Sequence, residues 1–290
     1  MKTVLSVLLS MSILLTGCQT LPDNTSQEGA TTQASSTVLS DNYYLSNLVG
    51  QADQQIVKTD LESALSHSNV DQFFQLVNDY NQTIQQTSLL SEFSQTSQPQ
   101  YDLVKIDELW QAAKGDFIGT NCRINTFTLL KDQLQIPVSK GDESLLFLDL
   151  EAIETGQLMT EEERKQFVYL FGRIETEATK DVAVHAAKMK EHLSTITFSS
   201  AAKMLSVVYH DDLDGHGLFI GHVGVMLESS RGVLFVEKLS FQEPYQAIYF
   251  SSKDQVYDYL LKKYALDYGQ ETAPAFIMEN DQFVQSAHKK

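Results

Sequence analysis

Three residues far apart in the chain, Cys122, His222 and Glu237, have the side-chain types of a thiol-based catalytic site. Cys122 follows a Gly-Thr-Asn turn and precedes apolar residues three and four positions apart, which predicts a helix that begins at the cysteine. At the first turn of a helix, the unpaired N–H groups and the helix dipole favour thiolate over thiol. A lone cysteine is also often a small buried hydrophobe, so its position alone leaves both interpretations open.

His222 and Glu237 lie on neighbouring predicted strands of one hairpin. His222 stands in the apolar run 219–226, where glycines on both sides leave room for another group to approach closely. Glu237 lies in the next run, 233–241, from which a carboxylate can fix the tautomer of an imidazole. Each residue has a simpler explanation: a core histidine with a satisfied hydrogen bond, and a glutamate paired across strands with a cation. A thiol nucleophile needs a base, and the base needs an orienting acceptor, so the three residues together predict a nucleophile, base and orienter.

The elements that must position these residues form a helical part followed by a sheet. Helical spacing and capping signals predict helices over 57–65, 70–84, 104–113, 122–134, 161–173 and 181–193, with 145–150 either a strand or a buried turn. Strands are predicted over 204–210, 218–228, 233–241 and 247–250, before a helix over 251–264. This order predicts an α+β fold in which the cysteine helix packs on an antiparallel meander, with a C-terminal helix after it.

The first 40 residues predict export and a lipid anchor. Residues 1–17 combine a positive start, a short apolar run and small residues before a cleavage site, which is typical of a signal peptide. The Leu-Thr-Gly-Cys sequence that ends at Cys18 resembles a bacterial lipobox. That resemblance implies cleavage before Cys18, a lipid on Cys18 and attachment to the outer face of the cytoplasmic membrane. Residues 18–40 are polar and predict a flexible tether, and 41–290 are predicted to form a single α+β domain.

Composition limits the partners of the protein. The formal net charge is −17, and such an acidic chain is a poor candidate for nucleic acid, because phosphate binding needs clustered lysine and arginine. We expect no cofactor and no metal. The acidic turn 210–215 lacks the distal glutamate of a calcium loop, and His185 and His192 share a predicted helix face without a third ligand nearby. The oligomeric state stays open.

The order of the three candidate residues resembles the papain-like cysteine peptidase superfamily: a cysteine at a helix N-terminus, a histidine on a strand and a polar residue on the next strand. The His-Val-Gly-Val-Met strand at 222–226 and the Val-Leu-Phe-Val-Glu strand at 233–237 are similar to the NlpC-type and amidase-like branches. Those branches often act on bacterial cell-wall peptides. The chain also resembles an uncharacterised family of Gram-positive lipoproteins that share the Thr-Asn-Cys-Arg and Glu-Lys-Leu-Ser-Phe-Gln-Glu-Pro-Tyr-Gln patterns, a resemblance that implies no activity.

The papain-like resemblance implies a role for each residue. Cys122 would be the nucleophile, His222 the base and Glu237 its orienter, while Asn121 or a backbone N–H near the cysteine would contribute to the oxyanion hole. The implied function is a membrane-anchored extracellular cysteine hydrolase that cleaves an amide bond of a cell-wall peptide or a small amide.

The residues around the cysteine depart from the superfamily pattern. An aromatic residue or a glycine commonly adjoins the cysteine there, with a glutamine upstream, whereas Asn121 and Arg123 flank this one and Gln111 lies on a separate predicted helix. These departures keep a second hypothesis open: a catalytically inactive papain-like surface lipoprotein that binds a ligand or a protein partner.

Overall fold

The computed structural model describes residues 43–96, 99–265 and 271–287. The predicted signal peptide, the tether and the predicted lipid site at Cys18 lie outside these residues and stay predictions. In the part of the chain that is described, no helix is both long enough and apolar enough to cross a membrane.

The described residues form a mixed α+β protein, as the sequence predicts. Their helices are α1 (Gln51–Glu62), α2 (His67–Thr83), α3 (Leu103–Lys114), α4 (Cys122–Leu130), α5 (Phe147–Gly156), α6 (Glu161–Phe171), α7 (Val182–Leu193) and α8 (Lys253–Tyr264). Their strands are β1 (Tyr43–Ser46), β2 (Ser94–Thr96), β3 (Leu134–Gln135), β4 (Ile174–Glu175), β5 (Thr197–Phe198), β6 (Lys203–Asp211), β7 (Gly217–Ser229), β8 (Gly232–Lys238), β9 (Tyr245–Phe250), β10 (Phe276–Glu279) and β11 (Gln282–Ser286).

The main sheet is antiparallel and has the order β11-β10-β6-β7-β8-β9-β1-β2, with β4 also paired to β7. Its centre is the meander β6 to β9, which the apolar runs and the turn residues between them predict. The turn between β7 and β8 ends at Gly232, whose φ of 122° lies in the region that favours glycine. A Cβ there would also lie 2.5 Å from the carbonyl oxygen of Phe250, so this tight hairpin depends on the glycine.

The central strands are buried on both faces. On β8, Leu234 and Val236 belong to the core shared with α1 to α7, whereas Val233 and Phe235 belong to a second core under α8. This two-sided burial explains why β8 is a continuous apolar run rather than an alternating one. Each such side chain contributes about 1.5–3 kcal/mol by leaving water. The layers are therefore a helical layer, the sheet and α8, with the cysteine helix α4 in the first layer.

Two predictions about the elements are wrong or incomplete. The run 145–150, predicted as a strand or buried turn, leads into helix α5; Phe147 and Leu148 are 67% and 40% exposed, so the apolar run does not mark a buried strand. Helix α8 is not the last element of the described residues, because β10 and β11 follow it and extend the sheet beside β6. The helical first half also supplies a strand, β1, which pairs with β9. The positions of the added strands β1, β10 and β11 depend on pairing between segments that are distant in the sequence.

Candidate active site

Helix α4 begins at Cys122, as the sequence predicts. The side-chain oxygen of Asn121 accepts a hydrogen bond of 3.0 Å from the backbone N–H of Ile124, so Asn121 is the N-cap. Such a cap stabilises a helix by about 1 kcal/mol. It fixes the thiol in the first turn, where the helix dipole favours the anion. Cys122 is a free cysteine and is 6% exposed.

A buried ion pair anchors the start of α4. The guanidinium of Arg123 makes a two-point contact with Asp149 on α5, with Nε–Oδ1 2.9 Å and Nη2–Oδ2 2.7 Å. The side-chain amide of Asn121 donates to the same carboxylate at 2.7 Å. The Nη1 of Arg123 donates to the carbonyl of Ile220 on β7 at 2.9 Å. The residues that depart from the superfamily pattern therefore join α4 to α5 and to the strand that carries His222.

A β-bulge sets the direction of His222. Strand β6 pairs Val207 with His222 but Val208 with Ile220, so Gly221 is the extra residue of β7. A bulge of this kind bends the strand and re-aims the side chains beside it. The pairing of β7 with β8 runs only from Val225–Val236 to the hairpin turn, so His222 lies beyond the end of that ladder. The backbone N–H of the next residue, Val223, contacts the thiol of Cys122 on α4.

Glu237 and His222 are in direct contact, as expected for a base and its orienter. Nε2 of His222 lies 2.6 Å from Oε2 of Glu237. The hydroxyl of Tyr264 donates to Oε2 at 2.8 Å, the hydroxyl of Tyr259 donates to Oε1, and Nζ of Lys263 is 3.5 Å from Oε1. All three supporting groups come from the last turns of α8. Glu237 is thus the centre of a buried network rather than an exposed cross-strand partner.

The charges of the network set the protonation states of its acid and base. Burial alone would raise the pKa of Glu237, but the charge of Lys263 and the hydrogen bond from His222 lower it to about 2. Burial alone would lower the pKa of His222, but Cys122 and Glu237 outweigh burial and raise it to about 9. At neutral pH the carboxylate is therefore ionised and the imidazole is protonated.

The thiol of Cys122 interacts with His222, which in turn contacts Glu237. Burial raises the pKa of Cys122, but the charge of His222, a hydrogen bond with that imidazole, the charge of Arg123 and the N–H of Val223 together lower it below its ordinary value. Because Nε2 of His222 faces the carboxylate, Nδ1 is the nitrogen available to the thiol. The arrangement favours a thiolate–imidazolium pair, in which the thiolate is the nucleophilic form.

An aromatic ring covers the base. The ring of Tyr264 stacks on His222 with centroids 3.7 Å apart and planes 13° apart, and its backbone carbonyl accepts a hydrogen bond from Tyr209. His222 and Glu237 are each 2% exposed. The thiol, the imidazole and the carboxylate are all buried in this conformation.

Asn121, proposed from the resemblance as an oxyanion donor, has its side-chain atoms engaged by Asp149 and by the helix backbone. The first N–H groups of a helix have no partner within the helix, so a backbone N–H near Cys122 remains the alternative donor that the resemblance implies.

The sequence did not predict the residues of α8 that hydrogen-bond Glu237 or the residue of α5 that anchors the start of α4. The aromatic residues of 245–264 are most simply explained by sequence as core residues, whereas the hydroxyls of Tyr259 and Tyr264 bond Glu237. Tyr259 and Lys263 are four residues apart on a predicted helix, a spacing that places two polar groups side by side. Asp149 carried no usable signal, because it lies in a segment whose helix was not predicted.

The other polar candidates do not join this site. Nε2 of His192 contacts the carbonyl of Tyr169, and His185 packs instead against His210. Within the described residues, no group of three or more His, Cys, Asp or Glu side chains could hold a metal ion.

Comparison with known families gives one match. A family model described as "Domain of unknown function (DUF4300)" matches residues 44–284, a span that includes Cys122, His222 and Glu237. No curated protein and no solved structure matches the chain.

Proposed function

We propose that this chain, which belongs to the DUF4300 family because that model matches most of its length, is a cysteine hydrolase that cleaves an amide bond. The observation that carries the proposal is the buried row Cys122–His222–Glu237, in which His222 bonds the carboxylate through Nε2 and interacts with the thiol on its other side. Covalent catalysis by a thiol requires this order of nucleophile, base and orienter.

A papain-like arrangement is part of the same proposal. Its support is the cysteine at the N-terminus of α4, the histidine on β7 and the acidic residue on β8. The substitution of Asn121 and Arg123 for the usual neighbours of the cysteine has a structural explanation, since both side chains bind Asp149.

The proposed reaction has two steps. The thiolate of Cys122 attacks the carbonyl carbon of the amide, and the imidazolium of His222 gives its proton to the departing amine, which leaves an acyl thioester on the cysteine. Water then attacks the thioester while His222 accepts a proton from it, so that the carboxylic acid leaves and the thiolate returns. Glu237 keeps the imidazole oriented and stabilises its charged form throughout. In this proposal, backbone N–H groups at the start of α4 would stabilise the oxyanion of each step.

The location and substrate class extend the proposal. A lipid on Cys18 would hold the domain at the outer face of the cytoplasmic membrane, which the export pattern of residues 1–17 supports. There the amide bonds of cell-wall peptides, or of small amides, are within reach. The net charge of −17 disfavours polyanionic substrates, because like charges repel.

One observation favours the second candidate, an inactive papain-like scaffold that binds a ligand or a protein. Cys122 is 6% exposed, and buried structural cysteines are generally inert. The two candidates differ in whether the thiol can react while the protein is folded.

Alkylation of the full chain with iodoacetamide tests the proposal, with the Cys122 peptide quantified by mass spectrometry. We expect labelling in the folded protein with a midpoint below pH 9.0, the ordinary value for the thiol, and a higher midpoint in urea-unfolded protein. His222→Gln should raise the folded midpoint, because it removes the imidazolium that stabilises the thiolate. Absence of labelling in the folded state would contradict the hydrolase and support the inactive scaffold.

Substrate cleavage is the direct test. Purified cell-wall peptidoglycan is incubated with the full chain, and newly formed amino groups are counted. We expect release with the natural protein and none with Cys122→Ala. Equal release by the two proteins would assign the cleavage to a contaminant and reject Cys122 as the nucleophile.

A further inference from the structure

A cleft of about 290 Å³ is lined in part by Tyr259 and Lys263, which both contact the carboxylate of Glu237. Its volume is near the lower end of the range for small-molecule sites. The side chains that line it and matter here are Tyr43, Tyr101, Gln246, Tyr259, Lys262 and Lys263. It does not include the thiol, so it is distinct from the place where a substrate would react.

The lining combines aromatic walls with positive charge. Tyr43, Tyr101 and Tyr259 supply three rings, and Lys262 and Lys263 supply two ammonium groups at the end of α8. Glu243 contributes one carboxylate to the lining. Two lysines and one glutamate therefore line the cleft, in a chain whose net charge is −17. A planar ligand with a negative group matches this surface better than a cation or an aliphatic chain.

Tyr101 presents a hydrogen-bond donor to the cleft. Its hydroxyl oxygen accepts two hydrogen bonds, from Nδ2 of Asn47 at 2.8 Å and from Nε2 of Gln246 at 2.7 Å. A phenol has one further capacity, the donation of its own proton, and the described residues provide no acceptor for it. Burial raises the pKa of Tyr101 to about 12, so the proton is present at neutral pH. An acceptor atom of a ligand would satisfy it.

The cleft is connected to the thiol site by hydrogen bonds. Oε1 of Gln246, whose amide donates to Tyr101, lies 3.2 Å from the hydroxyl of Tyr259 and accepts a hydrogen bond of 3.4 Å from Lys263. Lys263 also donates to the hydroxyl of Tyr259 at 2.7 Å and lies 3.5 Å from Oε1 of Glu237. The opposite oxygen of Glu237 bonds the imidazole. A negative ligand group on Lys263 would therefore compete with Glu237 for the same cation.

We propose that this cleft binds a small aromatic carboxylate through Lys263 and Tyr101. The bound anion then regulates the Cys122–His222–Glu237 site by weakening the ion pair between Lys263 and Glu237. The binding part stands on the cleft alone, whereas the regulatory part rests on the proposed function. Its direction follows from charge: neutralising Lys263 lowers the positive potential at the imidazole, so the imidazolium becomes more stable.

Calorimetric titration of the full chain tests binding with benzoate, and with benzamide as a neutral molecule of the same shape. We expect saturable benzoate binding that is at least tenfold tighter than benzamide binding. Tyr101→Phe, which keeps the ring, and Lys263→Met, which keeps the stem, should each weaken benzoate binding at least fivefold. The matched control is Lys188→Met, in an exposed ion pair with Glu191, which should change nothing. No saturable binding, equal binding of benzamide, or indifference to both cleft variants would overturn the site.

The regulatory part needs a readout that does not depend on turnover. The titration of His222 is followed by NMR in the Cys122→Ala protein, with and without saturating benzoate. We expect benzoate to shift the midpoint of His222 upward, and the shift to vanish in Lys263→Met. A benzoate complex without this shift would overturn the regulation. The two proposals fail separately, because benzoate binding does not need the thiol and alkylation of Cys122 does not need benzoate.

Discussion

Nε2 of His222 lies 2.6 Å from Oε2 of Glu237, with the side chains of both residues at least 97% buried. A buried ion pair costs more in desolvation than it returns unless its remaining polar atoms are also satisfied. Helix α8 meets that requirement for Glu237 by bringing Tyr259, Tyr264 and Lys263 to its two oxygens. The stability of the His222–Glu237 pair therefore depends on contacts from α8 as well as on the hairpin that carries both residues.

Glu237→Gln should lower the pH at which activity is lost on the alkaline side of the pH profile. The pKa of His222 is raised to about 9, so the imidazolium is present below that pH and is lost as the pH rises through it. Removing the carboxylate lowers the pKa of His222, because one of the groups that stabilise the charged ring is gone. Turnover should fall on the order of 10²–10⁴-fold, as when the orienting acid of a triad is made neutral. The pH profile of amine release measures both effects.

The matched control for this change is Glu228→Gln. Glu228 lies on the same hairpin and pairs with Lys253 at 3.0 Å, but its side chain is 70% exposed. Glu228→Gln should leave the pH profile of amine release unchanged. A Glu237→Gln protein whose profile coincides with that of the control would mean that the carboxylate does not orient the base.

Asp149→Asn should destabilise the fold by about 3 kcal/mol, since a buried guanidinium loses its partner. Asp149 is 1% exposed and binds both Arg123 and Asn121, the residues on either side of the cysteine. The free energy of unfolding in urea measures the loss. Glu161→Gln removes an exposed ion pair with Lys165 and should cost less than about 1 kcal/mol. Equal losses in the two variants would show that the buried pair does not anchor α4.

The sequence predicted the parts of the site that depend on neighbours along the chain. The cap at Asn121 and the start of α4 follow from a turn and a helical pattern within a few residues. His222 and Glu237 meet because they lie on strands joined by a short turn. In each case the residues that determine the geometry are close in sequence, so local pattern and turn chemistry were sufficient.

What the sequence could not predict depends on contacts between distant segments. The supports from α8 and the ion pair with Asp149 appear only after the helices are packed. Lys238 is a further example: a lysine at a strand end is expected at the surface, yet it is 1% exposed. Its ammonium donates to the carbonyls of Ser240, Phe241 and Glu243 and lies 3.8 Å from the ring centre of Tyr80. Burial lowers the pKa of Lys238 well below its ordinary value, and the three carbonyls of the turn supply the acceptors that its buried N–H groups require.

Three histidines meet away from the candidate site. His210 packs against His185 with ring centres 4.3 Å apart, and its Nε2 lies 3.1 Å from Nδ1 of His216. Nδ1 of His210 accepts the backbone N–H of Ala273 at 3.1 Å, so the neutral ring carries its proton on Nε2 and donates it to His216. Protonation of His210 would break the bond to Ala273 and place a charge between two other imidazoles.

The folded protein should therefore lose stability in mild acid through His210. Burial, followed by the charges of His185 and His216, lowers the pKa of His210 below 6.5, despite the opposing charges of Asp212 and Asp211. The unfolded chain then binds the proton more readily, so stability is complete above the unfolded pKa and falls as the pH drops toward the folded value. For a single proton the slope of this loss cannot exceed about 1.4 kcal/mol per pH unit. Urea unfolding between pH 7.5 and 5 measures it. His210→Asn, which keeps an acceptor for Ala273, should flatten the dependence, whereas exposed His67→Gln should not; an unchanged slope in His210→Asn would assign the acid sensitivity to other groups.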